Sequence, residues 1–202
     1  MNMLIGSKYK IISDITSVEV LDFDQYKVVS CVKYSNLIKS MIYEAKMESN
    51  YFFYTNFFQL LRENSLDDLF VIKKKLVSLV VNIPSDRGRI TSRGFDHSKE
   101  LSLSLSRSKK IKYLELFIKS QESSNRSLMT KSDRVEDDNY FVVDNFMAEE
   151  NSEYISNVDN LIIVDDLITT GSTVDNLIQT LTRSKLFKVN IKITVICIAF
   201  VD

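Results

Sequence analysis

Glycine, proline, cysteine and histidine are all scarce in this sequence, whose 202 residues include 4 Gly, 1 Pro, 2 Cys and 1 His. Glycine averages about 7% of protein sequence, so a chain this sparing keeps it where the backbone accepts nothing else. Two isolated cysteines, Cys31 and Cys197, cannot build a structural zinc site and read as buried free thiols in apolar, strand-like settings. The single histidine, His97, reads as a capping or core residue before it reads as a catalyst. No apolar run approaches the ~20 residues that a membrane helix needs. With no secretory leader in evidence either, the sequence predicts a soluble, cytoplasmic protein without a membrane span. Neither G-x-x-x-x-G-K-[ST] nor G-x-G-x-x-G occurs, which removes the commonest phosphate loops. A formal net charge of −1 excludes a strong global attraction to nucleic acid.

What is present is concentrated in the run Leu161-Ile-Ile-Val-Asp-Asp-Leu-Ile-Thr-Thr-Gly-Ser-Thr173. Leu161 to Val164 is a short apolar run bounded by polar residues and predicts a strand buried on both faces. Beyond Gly171, the residues Val174, Leu177, Ile178 and Leu181 recur at i, i+3, i+4 and i+7, the pattern of an amphipathic helix. The intervening loop therefore sits at a helix N-terminus, where free N–H groups and the helix dipole favour an anion. Gly171 lets the backbone close around a phosphate, and Thr169, Thr170, Ser172 and Thr173 offer hydroxyl donors. Asp165 and Asp166 at the strand's carboxyl end suit the vicinal hydroxyls of a ribose or a hydrated magnesium ion. A generic strand end with two solvated aspartates is the bland alternative.

Two further glycines and the only proline fall in one upstream segment, Ile83-Pro-Ser-Asp-Arg-Gly-Arg-Ile-Thr-Ser-Arg-Gly-Phe-Asp-His97. It follows Leu76 to Ile83, which predicts a central strand. Arg87, Arg89 and Arg93 lie close together, and the guanidinium fork matches phosphate oxygens, so this reads as a pyrophosphate loop. Taken alone it could equally be a solvated basic loop; a second phosphate site downstream favours the first reading.

The run from Leu161 to Thr173 resembles the signature by which type I phosphoribosyltransferases bind phosphoribosyl pyrophosphate (PRPP). In that family the acidic pair binds the ribose hydroxyls and the following loop binds the 5′-phosphate. Arg93-Gly-Phe-Asp-His97 is similar to the R-G-F-N-Q stretch of the ComF family, phosphoribosyltransferase-like proteins of bacterial DNA uptake. Asp96 and His97 stand in place of that family's Asn and Gln. Arg126, Met129 and Arg134 approximate its downstream Gln, Leu and Arg spacing, and its N-terminal four-cysteine zinc ribbon is missing. The resemblance runs from about Tyr34 to Val201. It implies PRPP binding by Ser85, Gly88, Arg89, Asp165, Asp166, Thr169, Thr170, Gly171, Ser172 and Thr173. It further implies magnesium held through water by Asp165 and Asp166, and catalytic roles for Arg87, Arg93 and Arg126. The polar segment Gln121 to Asn139 corresponds to a mobile loop of the resembling transferases, from which Lys119, Arg126, Lys131 and Arg134 could reach a phosphate on closure. A surface loop without a role is the competing reading.

Alternating strand and helix patterns predict an α/β fold with a doubly wound, mostly parallel sheet and a ligand crevice at its carboxyl edge. Residues 1–34 predict a small cap containing a hairpin, Val18 to Leu21 with Tyr26 to Val32, and residues 35–202 the phosphoribosyltransferase-like domain. Helices are predicted along Leu37, Ile38, Met41, Ile42 and Ala45, over Tyr51 to Arg62, and from Asp96 to Ser108. The last alternates Leu with Ser, yet Asp96 is a good N-cap, Leu101 and Leu105 are helix-spaced, and the resemblance and the strand–loop–helix order both imply a helix. The Phe53 and Phe57 cluster reads as core, and Lys73 to Lys75 as a solvated helix end. Strands are predicted at Tyr113 to Ile118 and Ile191 to Val201. Charge is uneven: residues 1–134 carry 22 basic and 15 acidic side chains, and residues 135–182 carry 11 acidic ones and no Lys or Arg.

Two functions follow from the resemblance. One is a PRPP- and magnesium-binding module in natural competence, with single-stranded DNA and DNA-uptake or helicase proteins as candidate partners and a homodimer left open. The other is an active phosphoribosyltransferase that passes ribose 5-phosphate to a base or amine. Purine-salvage enzymes of this kind place an aspartate where Thr169 stands, which argues against hypoxanthine–guanine salvage.

Overall fold

The computed structural model describes residues 16–48, 50–60, 76–120 and 140–201. Strand β1 (Thr16–Asp22) and β2 (Lys27–Val32) form the expected antiparallel hairpin. Helices α1 (Asn36–Met47) and α2 (Tyr51–Leu60) follow, the first capped by the Ser35 side chain. Strand β3 (Ser78–Asn82) leads into a short helix α3 (Arg87–Arg93), then α4 (His97–Lys109) and β4 (Lys112–Tyr113). After β5 (Phe117–Lys119) and β6 (Phe141–Val143) come α5 (Asn145–Glu150), α6 (Ser152–Ser156), β7 (Asn160–Ile168), α7 (Ser172–Ser184) and β8 (Lys192–Phe200).

The main sheet has six strands in the order β1-β2-β8-β7-β3-β4, and every neighbouring pair except β1 with β2 is parallel. The hairpin thus continues the sheet at one edge, through β2 against β8. A parallel sheet needs both faces covered, and the strand sequences alternate accordingly. Val80, Ile162, Val164, Ile196 and Ile198 face α1, α2 and α4, packing on Ile42, Phe57, Leu101 and Leu105. Leu79, Val81, Leu161, Ile163 and Val195 face the other way, onto Ile155 and the α7 stripe Val174, Leu177, Ile178 and Leu181. Each fully buried aliphatic side chain contributes about 1.5–3 kcal/mol, so both helical layers are held by their stripes. Phe53 and Phe57 are core, and Cys31 and Cys197 are buried free thiols.

Crossovers from β3 run outward through α3 and α4 to β4, whereas those from β7 run the opposite way through α7 to β8. The order reverses between β3 and β7, and such a reversal opens a crevice at the carboxyl ends of the two strands.

Two local expectations differ. The segment from Tyr113 to Ile118 is not one strand: β4 ends at Tyr113, and β5 pairs antiparallel with β6 in a separate two-stranded sheet. Leu116 and Phe117 are consecutive yet both buried in the same cluster, which a pleated strand with alternating faces cannot provide. The arginine segment is a helical turn rather than an open loop. Asp86 accepts from the Gly88 N–H at its start, and Gly94 at φ 85° closes it with an N–H to the Ile90 carbonyl.

Lys73 to Lys75, the end of the helix predicted to Arg62, and the segment Gln121 to Asn139 with Arg126, Lys131 and Arg134 lie outside the described residues. Among the described residues no helix is long and apolar enough to cross a membrane.

Candidate functional site

Strand β7 continues past Val164 because its pairing with β8 runs on to Ile168 against Phe200. Its pairing with β3 stops at Asn82 against Val164, closed off by the Ile83 N–H on the Val164 carbonyl. Asp165 and Asp166 are therefore strand residues whose β3 side is open, and a cleft of about 250 Å³ begins there. Ser85, Arg89, Arg93, Asp165, Asp166 and Thr173 all line it, so both segments singled out in the sequence converge on one cavity. Lys46 from α1, His97 from α4, Lys119 from β5 and Tyr140 complete much of the wall.

Arg89 and Arg93 are four residues apart on α3 and share a helix face. Arg87 and Gly88 are exposed and do not line the cleft, nor do Thr169, Thr170, Gly171 or Ser172. Asp96 fixes the Pro84–Ser85 turn beside the arginines. Its carboxylate accepts from the Ser85 N–H at 3.1 Å and hydroxyl at 2.7 Å, and from the N–H groups of Ser98 and Lys99 at the start of α4. The Ser98 hydroxyl donates to the Val164 carbonyl at 2.8 Å, locking α4 to the end of the β3–β7 ladder.

The acidic pair is not solvated. Asp166 is buried and forms an ion pair with Lys46, Nζ to Oδ2 at 2.7 Å. Asp165 is half-buried and its Oδ1 accepts the Asp166 N–H at 2.8 Å. Burial, then the adjacent Asp166 charge, push the Asp165 carboxyl well above the usual carboxylate range. His97 stacks on Tyr54 with ring centroids 4.6 Å apart, and Phe95 meets it edge-on. Arg93 Nη1 lies 3.4 Å from His97 Nδ1. A guanidinium only donates, so Nδ1 is the acceptor and the ring proton sits on Nε2, which is buried with no hydrogen-bond partner among the described residues. Burial pushes this imidazole down to about 4, Asp166 opposing the shift and Arg93 and Lys46 adding to it.

Beyond Ile168, Gly171 adopts φ 78° at the N-cap of α7, with no side-chain cap on the helix end. The Tyr26 hydroxyl stands over it, 2.9 Å from where a Cβ would be.

Among the described residues no three His, Cys, Asp or Glu side chains converge to hold a metal ion. Asp165 and Asp166, expected to hold magnesium through water, both line the cleft, and Lys46 pairs with Asp166. A hydrated magnesium ion takes one or two carboxylates together with a ligand's phosphates, so it needs no third protein donor here.

Lys46, Tyr26 and Tyr140 were not legible as site residues. Lys46 follows Ala45 at the end of a helical stripe, and only the sheet's placement of α1 over β7 gives it a role. No family model and no curated protein matches the chain.

Proposed function

We propose that the cleft binds PRPP and that the protein is a ComF-like member of the type I phosphoribosyltransferase class. The observation that carries this reading is the convergence of Arg89 and Arg93 with Asp165, Asp166 and Thr173 on one cavity at the strand-order reversal. At the edge of the cleft the α7 N-terminus and the Thr173 hydroxyl take the 5′-phosphate, with Gly171 setting the turn and Thr169, Thr170 and Ser172 beside it. Asp165 orients the ribose hydroxyls. Arg89 and Arg93 hold the pyrophosphate through paired N–H donors. Magnesium belongs to this reading only as a counter-ion that the pyrophosphate brings with it. Arg126 lies outside the described residues and carries no step here.

A binding module in DNA uptake is favoured over a transferase by one feature of the cleft. Of its three carboxylates, Asp166 pairs with Lys46, Asp165 Oδ1 accepts the Asp166 N–H and Asp86 caps α3, and His97 keeps its proton on a buried nitrogen. Each cleft carboxylate thus already accepts from a group of the chain itself, which disfavours one as the base for an acceptor. The role in competence, with single-stranded DNA or helicase partners, rests on the sequence resemblance alone.

Calorimetric titration with PRPP, following pyrophosphate release in the same samples, tests the reading. Saturable binding without release is the expected result. Release on adding a base or amine would instead make the protein a transferase, and absence of binding would reject the site.

A further inference from the structure

Two carboxylates in one cleft repel unless a cation compensates them, and a divalent metal ion is one such cation. In this cleft the compensation is built into the chain. The Lys46 ammonium lies 2.7 Å from Asp166 Oδ2, with the two side chains 23% and 10% exposed. Its position is fixed from behind, since Ile42 and Ala45 of the same helix are buried in the core. An ammonium has three N–H donors. One is directed at Asp166, and Lys46 also lines the cavity, so it borders both the carboxylate and the open cleft. Four cationic side chains, Lys46, Arg89, Arg93 and Lys119, already outnumber the three carboxylates Asp86, Asp165 and Asp166 along the walls. A further divalent ion would be added to a cavity whose formal charge is positive.

We propose that Lys46 is the cleft's resident cation and makes recognition of a 5-phosphorylated ribose independent of divalent metal. The inference rests on the PRPP-binding reading and sharpens it: Lys46 does for the ribose end what magnesium does where an acidic pair stands alone. Removing the ammonium leaves Asp166 buried and unpaired, and the site then requires a metal.

The test uses ribose 5-phosphate, which carries no pyrophosphate to bring its own magnesium. It is titrated calorimetrically into the wild type, Lys46→Gln and Lys46→Arg, each in EDTA and in magnesium chloride. The wild type is expected to bind with affinities within about twofold of each other in the two buffers. Lys46→Gln should lose roughly tenfold or more in EDTA, the worth of one charge-assisted contact, and recover in magnesium. Lys46→Arg should keep metal-independent binding. A wild type that binds only with magnesium overturns the proposal, as does Lys46→Gln binding like the wild type in EDTA. If Lys46→Gln fails to fold, the wild-type and Lys46→Arg titrations decide. A wild type that binds neither ribose 5-phosphate nor PRPP in either buffer rejects the PRPP-binding reading itself, a result distinct from metal-dependent binding.

Discussion

The Tyr26 hydroxyl donates a 2.9 Å hydrogen bond to Oδ1 of Asp175. It ties the turn of the N-terminal hairpin to the first turn of α7, the helix that carries the candidate phosphate loop. Phe23 stacks on the Tyr26 ring at 4.9 Å, nearly parallel, and also touches Phe200 at the end of β8. The N-terminal hairpin therefore braces the loop from Thr169 to Thr173. Tyr26→Phe should cost about 0.5–1.5 kcal/mol, the net worth of one such hydrogen bond with its acceptor left in solvent. Urea unfolding monitored by circular dichroism measures it, and an unchanged midpoint would remove the bracing role.

Gly171→Ala meets two penalties at once. Its φ of 78° is left-handed, and the new Cβ would lie 2.9 Å from the Tyr26 hydroxyl oxygen. A loss of about 1–3 kcal/mol is expected, together with loss of sugar-phosphate binding. Combining it with Tyr26→Phe relieves the contact and leaves the backbone strain. The double variant should thus be less destabilised than the sum of the single ones, as a double-mutant cycle in thermal or urea unfolding would read out.

Asp96 serves two elements, the cap of α4 and the Ser85 turn. Asp96→Ala is expected to cost about 2–4 kcal/mol, from a lost cap and from Ser85 donors left unpaired. Asp96→Asn, the residue of the resembling family, keeps one acceptor oxygen and should cost less. Equal effects of the two substitutions would contradict this division of labour.

His97 is the only histidine, so its ring protons can be followed without assignment. Its imidazole should titrate near 4 instead of the ordinary 6.5. A depressed histidine pKa means the unfolded state binds more protons between those values, so stability is complete above about pH 6.5 and falls as pH drops toward about 4. The loss is about 2 kcal/mol after allowance for solvent screening. Asp165, pushed upward, works in the opposite direction over the same range, and Asp166, Arg93 and Lys46 also face the ring. The difference in stability between wild type and His97→Gln isolates the histidine. A proton titration centred near 6.5 would contradict the buried neutral imidazole.

Cys31 and Cys197 are fully buried, and burial pushes both thiols up. Neither should react with a thiol reagent until the protein unfolds, when both should react together.

Much of the fold is written in local patterns. The buried runs at Leu79 to Val81 and Leu161 to Val164, the i, i+3, i+4 stripe of α7 and the Asp96 cap each fix their element within a few residues, so sequence and structure agree there. The site is legible to the same extent. Arg93 and Asp166 are readable as lining one cavity because Asp166 sits near the carboxyl end of one buried strand and Arg93 follows another, and the two strands are neighbours. What could not be read depends on long-range placement. Lys46 reaches Asp166 across 120 positions of sequence, and Tyr26 meets Asp175 across 149. Arg87 was read with Arg89 and Arg93 because an open loop was expected, and the helical turn started by Asp86 rotates it away from the cavity.

The most direct test of the central claim is amide-resolved NMR during titration with PRPP. Shifts concentrated at Ser85 to Arg93 and at Asp165 to Thr173, saturating together, are the expected result. Shifts absent at saturating PRPP, or gathered on the exposed face of α1 and α2, would contradict a phosphoribosyl site at the junction of β3 and β7.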